Sequence, residues 1–286
     1  MTHLSQLPLT TVQTFLETKD YAVSGEEFRL LYDRELDMLI TDPQPREIEK
    51  YYQSNSYISH TDSFQSFADK LYHLVKKYML WKKIRVIEHF IGGTGSVLDI
   101  GAGTGDFLRM ARKRGWEING VEPNHMARGL ASEKQVILMP KMKDVQDGSY
   151  DAITLWHTLE HIPDIDRQIK AMLDCLKENG IIIVAVPNFK SKDAKYYKEF
   201  WAAYDVPRHL WHFSQLAIER LFEKHNVELV KKSPLLFDAY YISLLSEKYK
   251  HGKSKFARAF WMGMRSNMSA LQSKEYSSIL YILKRK

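Results

Sequence analysis

From Phe67 to Ile87, apolar residues recur at spacings of three and four: Phe67, Leu71, Leu74, Tyr78, Trp81, Ile84 and Ile87. That period predicts an amphipathic helix running to Ile91, with Gly92-Gly93 as its end. Downstream the rhythm shortens. "SVLDI" (96–100) predicts a strand, "GDFLRMARKRG" (105–115) a helix closed by Gly115, and "EINGVEP" (117–123) a second strand. "NHMARGLASEK" predicts a short helix, "QVILM" (135–139) a third strand and "YDAITLW" (150–156) a fourth. "DIDRQIKAMLDCLKENG" predicts a helix capped by Asp164 and stopped by Gly180. "IIIVAVP" (181–187) is almost wholly apolar, as suits a central strand buried on both faces. Strands alternating with helices predict a parallel α/β sheet.

Outside this stretch the pattern loosens. The first sixty residues carry no clear period, and "TDPQPREIEKYYQ" predicts a turn feeding a short helix capped by Thr41 or Asp42. Beyond 190, "FSQLAIERLFEKHN" (213–226) predicts a helix capped by Ser214, and "VELVKKS" a strand. Residues 235–272 predict amphipathic helix, and "YSSILYILK" (276–284) a final strand. A strand pair this late, after a long connection, predicts an antiparallel edge.

Composition narrows the classes. The chain has 286 residues, 44% hydrophobic and 27% charged, as in globular proteins. No apolar run approaches the ~20 residues of a membrane span. The N-terminus lacks a basic segment followed by an apolar one, so a cytoplasmic protein is expected. Cys175 is the sole cysteine, which excludes intrachain disulfides and cysteine-cluster zinc sites. No metal is expected. The net charge is +6 and the pI about 9.1. The excess is local: Lys70 to Arg85, Lys248 to Arg258, and Lys284-Arg285-Lys286. Such clusters permit attraction to nucleic acid or an anionic membrane, and solvated helix faces are their ordinary account.

The candidate chemistry lies at "SVLDIGAGTGDF". A strand, a glycine-rich turn and a helix form a nucleotide-site layout, because glycines admit a ligand to the backbone and the helix start offers free N–H groups. The dinucleotide fingerprint G-x-G-x-x-G needs a sixth-position glycine, and Asp106 stands there. Asp99, at the strand end, suits a cationic group instead. Glu122 lies about 20 positions further on, where a carboxylate can accept both ribose hydroxyls. A ribose with a positive end and no pyrophosphate describes S-adenosylmethionine (SAM).

"VLDIGAGTGDF", "GVEPN", "GSYDAITLWHTLEHIPD", "LKENGIIIVAVPN" and "DVPRHLWHFS" together resemble class I SAM-dependent methyltransferases, and within them a bacterial group with a W-H-x-L-E-H segment. The resemblance covers roughly 90 to 286. It implies a Rossmann-like α/β fold: a seven-stranded sheet with an antiparallel last strand, an N-terminal extension with a helical lid, and a C-terminal helical insertion. The implied organisation is 1–60 extension and lid, 61–92 linking helix, and 93–286 methyltransferase domain with a cap at about 235–272. By motif matching, Asp99, Gly101, Ala102, Gly103 and Gly105 surround the methionine end. Glu122 holds the ribose, with Pro123 and Asn124 beside it. Met142 packs on the adenine, and Trp156 and His157 complete the pocket. Ordinary core packing accounts for Met142 nearly as well. Tyr51, Tyr57 and His60 are candidates for the methionine carboxylate or the lid, with an exposed surface segment as the alternative. Some relatives carry a four-cysteine zinc ribbon ahead of T-x-P-x-P. Here Leu7, Thr10, Asp33 and Leu36 stand at those positions, which implies a degenerate ribbon without its metal.

Methyl transfer to oxygen or nitrogen calls for a base, for which histidine is suited. His161 and His209 are favoured, with His157 and His212 nearby in sequence; bonding of a loop backbone is an equal role for each. Glu160 is expected to tie down its turn. Phe237, Tyr240, Tyr241 and Leu244 give the 235–272 segment an aromatic face, which suits a partly apolar small-molecule acceptor. RNA as acceptor, and a SAM-binding scaffold or sensor without catalysis, are the competing readings. The oligomeric state, monomer or homodimer, stays open.

Overall fold

The computed structural model describes residues 12–52, 67–145 and 150–286. The N-terminal stretch without a clear period folds as strands. Strands β1 (Val12–Lys19), β2 (Glu27–Asp33) and β3 (Met38–Asp42) pair antiparallel in sequence order. β3 reads "MLI" because it is covered twice. Met38 and Ile40 join the main core, while Leu39 joins Phe28 and Leu30 in a separate cluster. Asp33 and Leu36, two of the ribbon positions, close the β2–β3 turn, where the Asp33 carboxylate accepts from the Glu35 and Leu36 amides. Leu7 and Thr10 lie outside the described residues. The cap expected at Thr41 or Asp42 does not form. Thr41 Oγ1 donates to the His209 carbonyl at 2.7 Å, and Asp42 pairs with Arg29 at 2.5 Å, so both are engaged across strands. A 3₁₀ turn, Ile48–Tyr52, follows instead.

Helix α1 (Phe67–Ile91) then leads to the larger sheet. Its apolar stripe divides. Ile84 and Ile87 are buried against the sheet, whereas Leu74, Tyr78 and Trp81 are exposed. Next come β4 (Ser96–Ile100), α2 (Asp106–Lys113), β5 (Glu117–Val121), α3 (His125–Glu133), β6 (Tyr150–Trp156), α4 (Ile165–Cys175) and β7 (Leu176–Pro187). After a short helix α5 (Lys192–Tyr197) come β8 (Trp211–Phe213), α6 (Gln215–Glu223) and β9 (Val227–Pro234). Helices α7 (Asp238–His251) and α8 (Phe256–Ser273) precede the last strand, β10 (Ser278–Arg285).

Among the described residues the larger sheet has six strands in the order β5-β4-β6-β7-β10-β9, with β10 antiparallel to both neighbours. The antiparallel last strand is as expected; the seventh strand is not formed among the described residues. "QVILM" contributes one bridge, Val121 to Met139. Gln135 takes a left-handed φ of 62° and Ile137 is exposed, so the segment lies outside the ladder. Gly180 does not stop a helix either. α4 ends at Cys175 and the chain enters β7 directly, with the β6 partner register jumping from Leu176 to Ile181.

Alternation divides the core between two faces. Ile182, Val184 and Val186 of β7 meet α4 and α6, while Ile181, Ile183 and Ala185 meet α1 and α2. The helices thus cover both faces, and the loops at the carboxyl ends of β4, β5 and β6 meet at one edge. β8 belongs to the other sheet. It pairs with β3, so the N-terminal meander is completed by a strand from the far half of the chain.

Candidate functional site

The glycine loop follows β4. Gly101 and Ala102 both donate backbone N–H to the Val121 carbonyl, at 2.8 and 3.0 Å, and this folds the loop back over the tip of β5. Gly101 has φ +73°, and a Cβ there would meet Thr158 Oγ1 at 2.4 Å. Gly105, at φ +73°, packs on Ala131 and Val136 and starts α2. Gly103 differs: nothing lies within 4 Å of its Cβ position, so a ligand can reach its backbone.

Two carboxylates flank this opening. Glu122 accepts from the Gly103 amide at 2.8 Å and the Asn124 amide at 2.9 Å, which fixes it at the end of β5. Asp99 is buried and accepts from Thr154 Oγ1 at 2.6 Å. Burial pushes its carboxyl up to about 7, against that hydrogen bond and the nearby Lys83 ammonium. Lys83 reaches in from α1. Its Nζ lies 4.3 Å above the Trp156 ring, and burial holds it below the usual lysine range despite Asp99 and Asp238. Trp156 packs edge-on to Phe107 at 5.5 Å. Asp106 stays below the usual carboxylate range. Burial would raise it, but Lys134 at 2.6 Å and Lys76 at 2.7 Å outweigh that.

Not every expected contact is aimed at this opening. Asn124 caps α3, its side chain accepting from the Met126 and Ala127 amides, and the Pro123 carbonyl accepts from Arg128. Met142 packs against the sheet core. Tyr51 is a correction: its ring is buried beside Phe28 and its hydroxyl bonds Glu26, so it is no lid residue. Tyr57 and His60 lie outside the described residues.

The histidines gather past the end of β6. His157 has φ +55°, with Nε2 at 3.0 Å from Asp238 and Nδ1 at 3.6 Å from Glu160. Burial opposes its charge, but the two carboxylates raise it to about 9. It is already protonated at neutral pH and does not suit the role of base. The His161 ring meets His209 edge-on at 4.6 Å. Burial, with the neighbouring His209, pushes His161 down to about 4. His161 Nδ1 lies 3.0 Å from both the Arg208 carbonyl and the Tyr52 hydroxyl, and His209 Nδ1 lies 2.9 Å from the Ala203 carbonyl. His161 Nε2 makes no bond to these groups, while His209 Nε2 lies 3.9 Å from the Asp205 carboxylate, too far for a hydrogen bond. His212 is turned away, within 3.0 Å of Thr41 Oγ1. The Glu160 carbonyl accepts from the Leu210 amide at 2.8 Å, but its buried carboxylate, expected to tie down the turn, accepts no hydrogen bond. Among the described residues, Glu160, His161 and His209 offer donor atoms within 4.8 Å of one another, a set able to close on a divalent cation.

The "PRH" segment is held by Arg208. Its buried guanidinium pairs with Asp20 at 2.8 Å and Asp205 at 2.7 Å, joining the meander to the histidine cluster. Lys83, Tyr52 and Asp238 escaped sequence reasoning. Lys83 has the spacing of a surface lysine, and Tyr52 and Asp238 come from segments whose placement no local pattern fixes.

A family model described as a methyltransferase domain matches residues 64–232. Over 117 residues the chain is 31% identical to a ubiquinone biosynthesis O-methyltransferase of Acinetobacter baylyi, covering 37% of this chain and 49% of that protein. A protein of the same name from Shewanella halifaxensis is 29% identical over 118 residues, covering 37% and 50%. The chain thus matches about half the length of these curated relatives. Among solved structures, magnesium protoporphyrin IX methyltransferase of Synechocystis, with bound S-adenosylhomocysteine, aligns with a TM-score of 0.55 at 13% identity, over 84% of this chain and 98% of that one. Geranyl diphosphate C-methyltransferase of Streptomyces coelicolor aligns with a TM-score of 0.52 at 14% identity, over 80% and 89%. At such identities these structures establish the fold alone.

Proposed function

Since the chain belongs to the methyltransferase-domain family, we propose that it moves a methyl group from SAM to a hydroxyl of a small, partly apolar acceptor. The observation that supports the reading is the convergence at one sheet edge: an open Gly103, the carboxylates of Asp99 and Glu122, and a histidine cluster past the end of β6. Bound there, SAM would supply a methyl carbon activated by its sulfonium. Glu122 would accept the ribose hydroxyls, and Asp99 would face the cationic methionine end. Protonated His157, fixed by Asp238, would hold the turn between cofactor and acceptor.

The acceptor hydroxyl must give up its proton as the new O–C bond forms. His209 suits this role. Its Nδ1 is turned to the Ala203 carbonyl, leaving Nε2 as acceptor, with Glu160 close enough to steady the imidazolium. His161 would position the His209 ring against its face. The curated relatives named as O-methyltransferases support oxygen as the acceptor atom. Calorimetry with SAM and S-adenosylhomocysteine, followed by a labelled-methyl screen of cell extract, tests the reading. Absence of SAM binding sinks it.

One observation favours a second reading. The Glu160 oxygens, which accept no hydrogen bond, lie within 4.8 Å of ring nitrogens of His161 and His209, and this set would suit a divalent cation that polarises the hydroxyl directly. Metal analysis of the purified protein and loss of turnover on chelation would select it.

A further inference from the structure

Helix α8 is apolar on both sides. Its inner side uses small residues: Ala259, Gly263, Ser266 and Ala270 are buried, and a Cβ on Gly263 would meet the Tyr240 ring at 2.7 Å. Its outer side carries Phe256, Phe260, Trp261, Met268 and Leu271, each 57% to 73% exposed. A helix so built is ordinarily covered on the second side too. At 18 residues it presents a flank roughly 27 Å long.

The charge around it points to the cover. Between 248 and 274 the chain has five lysines, two arginines and no aspartate or glutamate. That segment alone exceeds the whole protein's net charge of +6. Exposed Lys248 and Lys250 end α7, Lys250 lying over the Tyr196 ring; exposed Lys253 follows in the link to α8, and Arg265 lies one turn from Trp261. A second copy of the chain would bring two such segments together, and like charges oppose that. Aromatic and aliphatic residues on a helix flank, rimmed by lysines without acids, match an interfacial helix on an anionic bilayer.

The helix is also fastened to the reaction site. Phe260 stacks on Tyr240 at 5.4 Å, and Asn267 Nδ2 donates to the Leu236 carbonyl at 2.9 Å. Two residues on, Asp238 holds His157. Exposed Leu236, Phe237 and Tyr241 extend the apolar surface from α8, and Phe237 meets Tyr78 of α1 at 6.1 Å.

We propose that α8 and the basic segment leading into it dock the protein on an anionic membrane surface, apolar flank inward. Resting on the methyl-transfer reading, this further names the acceptor class: a membrane-dissolved amphiphile whose hydroxyl enters past Phe237.

Co-sedimentation of the full chain with vesicles tests the docking without requiring turnover. Equal parts phosphatidylglycerol and phosphatidylcholine should carry the protein down, and phosphatidylcholine alone should carry far less. Lys253→Glu with Lys255→Glu should lower partitioning by about fivefold or more for each site. Trp261→Ser with Met268→Ser should abolish it, while SAM affinity stays at the wild-type value in both variants. Raised salt should weaken binding. Wild-type protein left in the supernatant, or variants that still pellet, would overturn the proposal. So would a concentration-dependent dimer that Trp261→Ser dissociates, or tRNA binding tighter than vesicle binding. Vesicle binding without any SAM affinity would instead leave the surface standing and remove the methyl-transfer reading.

Discussion

Replacing Asp99 by asparagine tests the cationic-nucleoside site. In the wild type, burial holds the carboxyl at about 7. Only the ionised form can face a cation, so the apparent dissociation constant is the intrinsic one divided by the ionised fraction. SAM affinity should therefore be flat above about pH 8 and fall about tenfold per unit well below pH 7, roughly 100-fold by pH 5. Binding should release a proton on the acid side and none on the alkaline side. Calorimetry across that range, in buffers of different ionisation enthalpy, counts those protons. Asp99→Asn should bind about tenfold or more weakly at pH 8, the loss of a charge-assisted contact, and show no pH dependence from this group. Lys83→Met removes a neighbour that lowers the Asp99 value, and should move the break to higher pH. The linkage has a second consequence. Asp99, whose ordinary value is 3.8, stabilises the fold fully below that pH and withdraws the support as pH rises through about 7. SAM should restore it. A wild-type affinity independent of pH, or an asparagine variant that binds as tightly, would refute the reasoning.

Other perturbations probe separate parts. His209→Ala should keep SAM affinity and lose about 10²–10⁴-fold in turnover on the true acceptor, measured by labelled methyl transfer. His161→Ala should lose turnover with cofactor binding retained; unchanged turnover would remove it from the mechanism. Arg208→Met leaves Asp20 and Asp205 facing each other without their cation, and should cost about 3–5 kcal/mol in urea unfolding. Gly101→Ala drives a methyl into Thr158 at a left-handed φ, so both melting temperature and SAM affinity should drop.

The parallel core was legible because its signals are local. A buried central strand must be apolar throughout, so "IIIVAVP" announces β7. Asp164 and Ser214 cap the helices they precede, through contacts within three residues. Where local cues failed, a distant partner decided. Lys177 to Gly180 extend a helical pattern, yet they form part of β7 because the β6 ladder engages Leu176 and then Ile181. Likewise the meander shows no period because β3 is covered on both faces while the exposed side chains of β1 break its alternation. Tyr51 and Tyr52 are neighbours in sequence with opposite fates: one is buried against Phe28, the other reaches His161.

The sequence by itself determined the parallel strands β4 to β7 and the glycine loop between β4 and α2, because strand, turn and helix lie within a few residues of each other. It also marked "LEH" and "PRH" as candidates, without relating them. Only the tertiary structure decided that they form one cluster, that two carboxylates raise the His157 pKa, and that Lys83 from α1 reaches the Trp156 ring beside Asp99. Those properties come from burial and from carboxylates contributed by distant elements, Asp238 above all, and a linear pattern carries neither.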